Sequence, residues 1–500
     1  MEYLNDVIYG FSVASTSANL LWCFLGVFIG TLAGILPGVG ALASISILLP
    51  LILKIPDPTT GIIFLTGIYY GTQYGGSITS ILMNIPGEPS SAVTCIDGHQ
   101  MTRKGKAGAA LSITALSSFF AGTIATFIII FLAKPLANIA YLFGPIEYTV
   151  LMLLGLVAAV SLNQGSTLKG IAMVLTGILL GMIGADVNSG IIRFTFGIKG
   201  LSDGISFGII AMGIFGLGEI VYNYFHKELV KLIKTNLSLS LHLTKNDMKE
   251  SIVPIIRGTA IGSILGFLPG GGTIISSFAS YSVEKYFSKN PQQFGKGAIA
   301  GVAGPESANN AAAQTSLVPM LILGLPVTPV MSLCLAVLMI YGITPGPQII
   351  TQQPNLFWGL IASMYIGNFF LLILNLPLVG IWISILKIPR KILYSIVLLA
   401  CVTGAYYLNN SWFDVLLLLP FAILGYIFRL LGCEPAPMAM GFVVGALFEE
   451  YLRRSLAISR GDWYIFLEKP ISLTLILFFF IIFFSKMLHT YMQQKKQETK

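Results

Sequence analysis

The sequence is short of charge, and that shortage excludes a water-soluble fold. Only 10% of its 500 residues are charged, whereas 55% are hydrophobic. Soluble domains carry about 25% charged residues, so this chain cannot coat a water-facing surface. Apolar runs instead recur along it, as at 111–133 and 472–485. Because a bilayer span needs about 20 apolar residues, we predict an all-α polytopic membrane protein of about 12–14 helices, some of them broken or re-entrant.

Motifs of catalysis and nucleotide binding are absent as well. The chain has no GxxxxGK[ST], no HExxH and no GxSxG. Its five cysteines form no CxxC pair and its four histidines are scattered, so we expect neither a disulfide framework nor a histidine metal centre. The net charge of +8 indicates loop orientation and anionic lipid rather than nucleic acid. We therefore predict no enzyme activity and no catalytic residues.

Two sequence features occur twice, which indicates an internal repeat. GILPGVG at 34–40 and GFLPGGG at 266–272 each interrupt an apolar run with Leu-Pro-Gly. A Pro-x-x-Pro element follows in each half, at 86–89 and at 326–329. The longest polar stretch lies between the halves. We predict a first membrane repeat at 1–225, a cytoplasmic polar linker at 226–250 and a second membrane repeat at 251–500.

Basic residues in matched loops indicate that the two repeats are inverted. HQMTRKGK at 99–106 is strongly basic, whereas its counterpart YGITPGPQIITQQPN at 341–355 has no charge. The bias is reversed for KIPDPTT at 54–60 and the Lys-rich EKYFSKNPQQFGK at 284–296. Cytoplasmic loops are enriched in Lys and Arg, so matched loops are expected on opposite sides. Inverted-topology repeats are typical of secondary transporters. The topology of the last hundred residues stays open.

The Leu-Pro-Gly breaks predict backbone donors exposed within the membrane. If a helix restarts after Pro37 and after Pro269, its first N–H groups lack partners and favour an anion. Two such ends near the midplane suit a small carboxylate. The predicted substrate-binding residues are Gly38, Val39, Gly40, Ser77, Thr79, Ser80, Gly270, Gly271, Gly272, Thr273, Asn309, Asn310, Thr315 and Ser316.

Neutral polar side chains beside the breaks also offer oxygen ligands for a coupling ion. We predict coupling to Na⁺ or H⁺ and no other cofactor, with a candidate Na⁺ position near Thr72, Asn84, Glu306, Ser307 and Gln314. An intramembrane carboxylate such as Glu306 is a functional candidate, whereas Glu88 is as well suited to capping backbone. For any single small residue, close helix packing remains the alternative.

Four further charged or titratable residues are assigned to loops or loop edges. Asp97 and His99 adjoin the basic loop and are expected to make surface contacts. Asp186 and Arg193, in GADVNSGIIRFTFG, are interpreted as a loop ion pair or a docking surface. Neither interpretation assigns these residues to substrate.

Several long stretches resemble the large membrane subunit of the tripartite tricarboxylate transporters. They are GILPGVGAL, YYGTQYGGSITSILMNIPGEPSSAVTCIDGHQMTRKGKAG, GADVNSGIIRFTFG, GFLPGGGT, GPESANNAAAQTSLVPMLILGLP, YGITPGPQ and RSLAISRGDWYIFLEKPIS. The resemblance implies a bacterial inner-membrane permease that acts with a small membrane subunit and a periplasmic solute-binding protein. It implies uptake of tri- or dicarboxylates driven by a Na⁺ or H⁺ gradient. The alternative is a stand-alone carboxylate permease or an anion channel without a binding protein.

Overall fold

The fold is built almost wholly from helices. A computed structural model describes residues 2–36, 39–160, 166–186, 189–226, 243–268, 272–385 and 390–477. Its α-helices are α1 Glu2–Ala14, α2 Ser17–Ile35, α3 Gly40–Leu53, α4 Pro58–Met83, α5 Ala92–Arg103, α6 Ala107–Ala140, α7 Pro145–Val160, α8 Thr167–Gly181, α9 Phe207–Ala211, α10 Gly218–Phe225, α11 Lys245–Gly266, α12 Gly272–Phe287, α13 Ala300–Thr315, α14 Leu317–Leu323, α15 Pro329–Ile340, α16 Ile349–Gln352, α17 Pro354–Asn375, α18 Val379–Ile385, α19 Arg390–Asn409, α20 Trp412–Leu430, α21 Ala436–Ile458 and α22 Ile465–Glu468.

Short non-α elements complete the described part. They are 3₁₀ turns at Pro89–Ser91, Lys199–Leu201 and Pro291–Gln293, a π-helical segment at Met212–Leu217, and the strands β1 Gly184–Ala185 and β2 Ile192–Arg193. The two strands pair antiparallel, with Gly184 opposite Arg193.

Several helices have the length and composition of membrane spans. Five segments qualify among the described residues: α2, α6, residues 207–225, α17 and α20. Shorter apolar helices include α3, α7, α8 and α15. The prediction of an all-α polytopic membrane protein is confirmed.

The first Leu-Pro-Gly break lies at the tip of a helical hairpin. The Thr60 hydroxyl donates to Asn19 Oδ1 at 2.6 Å, so α2 and α4 begin at the same level. Tyr341 Oη donates to Ile52 O at 2.5 Å and lies against Gly61, which places the end of α3 beside the start of α4. Helix α3 therefore runs back along α2, so the chain reverses between the end of α2 and the start of α3.

The second break has the same arrangement. Arg257, nine residues before the end of α11, pairs with Glu284 near the end of α12, with 2.6 Å between Nη2 and Oε2. The Glu284 side chain also lies against Gly304 near the start of α13. Helix α12 therefore returns along α11, and its first residue, Gly272, lies at the hairpin tip. We call α2–α3 the first hairpin and α11–α12 the second hairpin.

Glycines four residues apart bind each hairpin to the helix that follows it. A Cβ at Gly34 would lie 2.5 Å from Thr72 O on α4, and one at Gly266 would lie 2.7 Å from Ala312 O on α13. Small residues at this spacing let membrane helices approach closely. The two sets occupy equivalent places relative to the breaks: Gly26, Gly30 and Gly34 on α2, and Gly258, Gly262 and Gly266 on α11.

The two predicted repeats are interleaved in space. Helix α1 packs on α17, and α7 and α8 pack on α21. One hydrophobic core contains residues of both repeats, from Ile35 and Phe64 to Leu333 and Phe357. Each half therefore depends on the other for burial.

The predicted linker is described only in part. Residues 227–242 lie outside the described residues, as does the C-terminal tail from residue 478. Helix α11 begins inside the predicted linker, at Lys245, because Thr244 and Asp247 form a capping box. The division into repeats and linker stays a prediction.

Candidate functional site between two hairpin tips

Each hairpin tip extends past the level of the other along the antiparallel helices α4 and α13. Ser77 on α4 contacts Glu306 near the start of α13, whereas Tyr69, earlier on α4, lies against Ser316 at the end of α13. The first tip lies level with Gly76, and the second tip is level with the end of α13. At about 1.5 Å per residue, the distance along α4 from Tyr69 to Ser77 is about 12 Å. We call this region, residues 69–77 and 306–316, the inter-tip layer.

The first tip is capped by a carboxyl group of the chain itself. The amide of Ala41, at the start of α3, donates to Glu88 Oε1. A Cβ at Gly40 would lie 3.2 Å from the same oxygen. The loop that carries Glu88 packs on Gly34 and Gly76 through Gly87. Glu88 thus occupies the anion position that the sequence assigns to substrate.

The second tip has a hydroxyl residue in the equivalent place. Thr328 precedes the second proline of its Pro-x-x-Pro, as Glu88 does, and its hydroxyl caps α15 by accepting from the Met331 amide at 3.2 Å. Within 4 Å, the Cβ position at Gly272 meets only the Thr328 methyl carbon, at 3.3 Å, among the described residues. Both Gly40 and Gly272 have positive φ, 57° and 42°, which favours glycine.

Glu306 is the buried carboxyl group of the inter-tip layer. Its side chain is 1% exposed. Ser77 Oγ lies 2.9 Å and 2.8 Å from its two oxygens, and the Thr94 hydroxyl donates to Oε1. These contacts join α13 of the second repeat to α4 and α5 of the first. Oxygen atoms from three helices therefore converge at this point.

Asn309 lies one turn beyond Glu306 on the same face of α13. It is 1% exposed, and neither its Oδ1 nor its Nδ2 has a hydrogen-bond partner among the described residues. Gln73, across the layer on α4, accepts from Ser90 Oγ at 2.8 Å. Most buried polar side chains have a partner, so the amide of Asn309 is an exception.

Other predicted residues on α13 face α6 instead of the layer. Asn310 Nδ2 donates to Ser118 Oγ at 2.7 Å, and Gln314 Oε1 accepts from Thr126. Ser307 Oγ lies 2.9 Å from Ala303 O and 3.3 Å from Ser117 O. These side chains join α13 to α6 and are satisfied within the protein.

The remaining predicted residues either bond to the backbone of their own helix or lie at the tips and the end of α4. Thr79 and Ser80 donate to Gly76 O on their own helix, and Thr72 donates to Tyr69 O. Thr315 and Ser316 donate to α13 backbone carbonyls. Val39 precedes Gly40 at the first tip, Thr273 follows Gly272 at the second, and Asn84 is an exposed cap of α4. Gly38, Gly270 and Gly271 lie outside the described residues.

Of the two predictions for charged residues in or near loops, one is wrong and one is confirmed. The prediction of surface contacts for Asp97 and His99 is wrong, because both are buried. Asp97 accepts from the amides of Gly297 and Ala298 at 2.6 Å and 2.8 Å, since α5 packs against the loop before α13. The ion pair of Asp186 and Arg193 is confirmed at 3.4 Å.

The sequence reading missed Thr94, Thr328 and Tyr69. Thr94 reaches Glu306 across 212 positions of the chain, which no local pattern reveals. Thr328 had a usable signal, because it and Glu88 both stand before the second proline of the repeated element. Within the described residues, no group of three or more His, Cys, Asp or Glu side chains gathers for a metal.

The described structure defines a multi-pass α-helical membrane protein with a buried polar layer between two hairpin tips. Comparison with known proteins adds its family. The profile described as "Tripartite tricarboxylate transporter TctA family" matches residues 20–440. The chain therefore belongs to the TctA family and is a component of a tricarboxylate transporter.

Two proteins of Agrobacterium vitis are similar to the chain. One, described as "Uncharacterized 52.8 kDa protein in TAR-I ttuC' 3'region", is 51% identical over 476 residues, covering 95% of this chain and 94% of the relative. The other, described as "Uncharacterized protein in TAR-II ttuC' 3'region", is 57% identical over 215 residues, covering 43% of this chain and 89% of the relative. No solved structure matches the chain.

Proposed function

We propose that the chain is the permease subunit of a secondary active transporter that takes up small tri- or dicarboxylates across the bacterial inner membrane. A Na⁺ or H⁺ gradient drives uptake, a periplasmic solute-binding protein delivers substrate, and a small membrane subunit completes the transporter. The observation that carries the proposal is the inter-tip layer, a buried polar region between two opposed hairpins. Substrate binds there, near Gly272 and Asn309.

The orientation of the repeats supports this proposal. Helices α4 and α13 follow equivalent hairpins, so repeats of the same orientation would make them parallel. They run antiparallel instead, with Ser77 against Glu306 and Tyr69 against Ser316. An antiparallel pair is expected of inverted repeats, in which alternating access moves one part against the other around a fixed site.

Uptake into proteoliposomes tests the proposal. The chain is reconstituted with its small subunit, with and without the binding protein, and radiolabelled carboxylates are followed under an imposed Na⁺ or pH gradient. We expect accumulation above the external concentration, and only with a gradient and the binding protein. Mere equilibration would identify an anion channel, and accumulation without the binding protein would identify a stand-alone permease. Either result contradicts the proposal.

A further inference from the structure

Glu306 has hydroxyl partners but no cation beside it. Both carboxyl oxygens contact Ser77, and Oε1 also accepts from Thr94. Among the described residues, no basic side chain pairs with this group, whereas Glu284 in the same repeat pairs with Arg257. A buried charge is costly unless it is paired or binds a metal. The Glu306 site therefore calls for a cation from outside the chain.

Asn309 is an independent sign of a ligand at the same place. Its amide is as buried as Glu306 and has no partner at either Oδ1 or Nδ2. Residues three apart on a helix are neighbours on its surface, so the Asn309 and Glu306 side chains extend from adjacent positions of α13. The adjacent Asn310 is bonded to Ser118 and to Glu306 O. Of the two adjacent amides, only Asn309 is without a hydrogen-bond partner among the described residues.

The donor set favours one kind of cation. A carboxyl group, an amide oxygen and two hydroxyls are hard oxygen ligands, which suit alkali and alkaline-earth ions. A single carboxylate balances one positive charge, so a monovalent ion leaves no excess charge in the buried site. A proton on Glu306 would satisfy the carboxylate but would leave Asn309 without a partner.

We propose that Glu306, Asn309, Ser77 and Thr94 bind the coupling Na⁺, and that Asn309 links this ion to the substrate. Its Oδ1 binds Na⁺, and its Nδ2 donates to a substrate carboxylate in the inter-tip layer. The Asn309 side chain then contacts both ligands. Each ligand therefore favours binding of the other, as symport requires. This inference rests on the proposed function and identifies its coupling ion.

A thermal-shift titration of the purified full-length chain tests the ion site. NaCl replaces choline chloride at constant ionic strength, so that screening does not change. We expect the wild-type melting temperature to rise with Na⁺. In Glu306→Gln and Asn309→Ala, the Na⁺ concentration for half of the maximal shift should rise more than tenfold. An unchanged Na⁺ midpoint in Asn309→Ala, or no Na⁺ shift in the wild type, would overturn the inference.

Asn368→Ala is the matched control, because Asn368 is a buried amide with all its partners. It donates to Phe119 O and Thr123 Oγ1 and accepts from Tyr74. This variant should lower the melting temperature in choline yet keep the Na⁺ midpoint. Asn309→Ala removes an unsatisfied amide, so it should not lower the melting temperature in choline, but it should raise the Na⁺ midpoint. If both variants shift the Na⁺ midpoint equally, the Asn309 effect is merely structural and the inference fails.

Asn309→Asp tests the link between ion and substrate. It keeps an oxygen for Na⁺ but loses the amide donor, so the Na⁺ shift should persist. The further shift given by a panel of di- and tricarboxylates should be lost. Retention of the carboxylate shift would refute the link. Wild-type accumulation driven by a pH gradient alone, with no Na⁺ shift, would refute this inference and leave the proposed function intact.

Discussion

The two hairpin tips share one backbone design but differ in the side chain placed against them. At the first tip, the Glu88 carboxyl group accepts from the Ala41 amide at the start of α3. At the second, the neutral Thr328 lies against Gly272 at the start of α12. A helix N-terminus favours a negative group, and among the described residues a carboxyl group lies against the first tip but not against the second. The second tip is therefore the better place for a substrate carboxylate.

The difference also explains why the polar layer is asymmetric. Glu306 and Asn309 both belong to α13, and the hydroxyl partners of Glu306 come from the first repeat. The equivalent helix α4 contributes the neutral Gln73 and Ser77 to the layer. Repeats with one fold can thus assign structural support to one tip and ligand binding to the other.

The largest effect is expected where the two hairpins are alike. Gly30→Leu on α2 would force a side chain against the backbone of α4 at Ile68, and Gly262→Leu on α11 would do the same against α13 at Ala308. We expect the free energy of unfolding to fall by about 3 kcal/mol or more in each variant. Retained folded protein in detergent, measured by size-exclusion chromatography, checks this. If only one variant loses the folded peak, the hairpins are not equivalent in packing.

A smaller effect on stability is expected from removing the side chain that lies against each tip, Glu88 at the first and Thr328 at the second. Glu88→Ala leaves the Ala41 amide without its partner and should cost about 1–3 kcal/mol. Thr328→Ala removes a helix cap and should cost about 1 kcal/mol. Melting temperatures of the two variants in the same detergent give the comparison. A larger loss for Thr328→Ala would show that Glu88 does not stabilise the first tip.

The smallest change in free energy is expected from a substitution that gives the second tip a carboxyl group like that of the first. Its effect is measured directly as uptake. Thr328→Glu should place a carboxyl group at the second tip, where it would compete with substrate. We expect uptake at low substrate concentration to fall about tenfold, within the ~2 kcal/mol that an anion gains at a helix end. Thr328→Gln matches the size without the charge and should retain more uptake. Equal uptake by the two variants would exclude the second tip as the carboxylate site.

Much of this molecule could be predicted from the sequence. Low charge and recurrent apolar runs indicated the membrane, and the repeated Leu-Pro-Gly elements indicated equivalent breaks. The glycines spaced by four before each break were an unused signal of close packing, and they become evident once α2 and α11 are compared. The reversal of the chain at each break was harder to predict, because a proline-glycine interruption allows a half-helix to continue or to return.

The polar residues of α13 show the limit of sequence reasoning. Asn309 and Asn310 are consecutive and chemically identical, yet they differ by about 100° around the helix axis. Asn310 bonds to Ser118 on α6, whereas Asn309 has no hydrogen-bond partner among the described residues. Only the packing of α13 against its neighbours separates a structural amide from a candidate ligand.

The sequence by itself determined the solvent, the duplicated breaks and the family, because composition and motifs are properties of the chain alone. The tertiary structure decided which carboxyl group caps a tip, which one lies uncompensated in the inter-tip layer, and which amide accompanies it. Those outcomes depend on helix rotation and relative depth. The rotation and depth of each helix are set by contacts between residues more than 200 positions apart, such as Thr94 with Glu306.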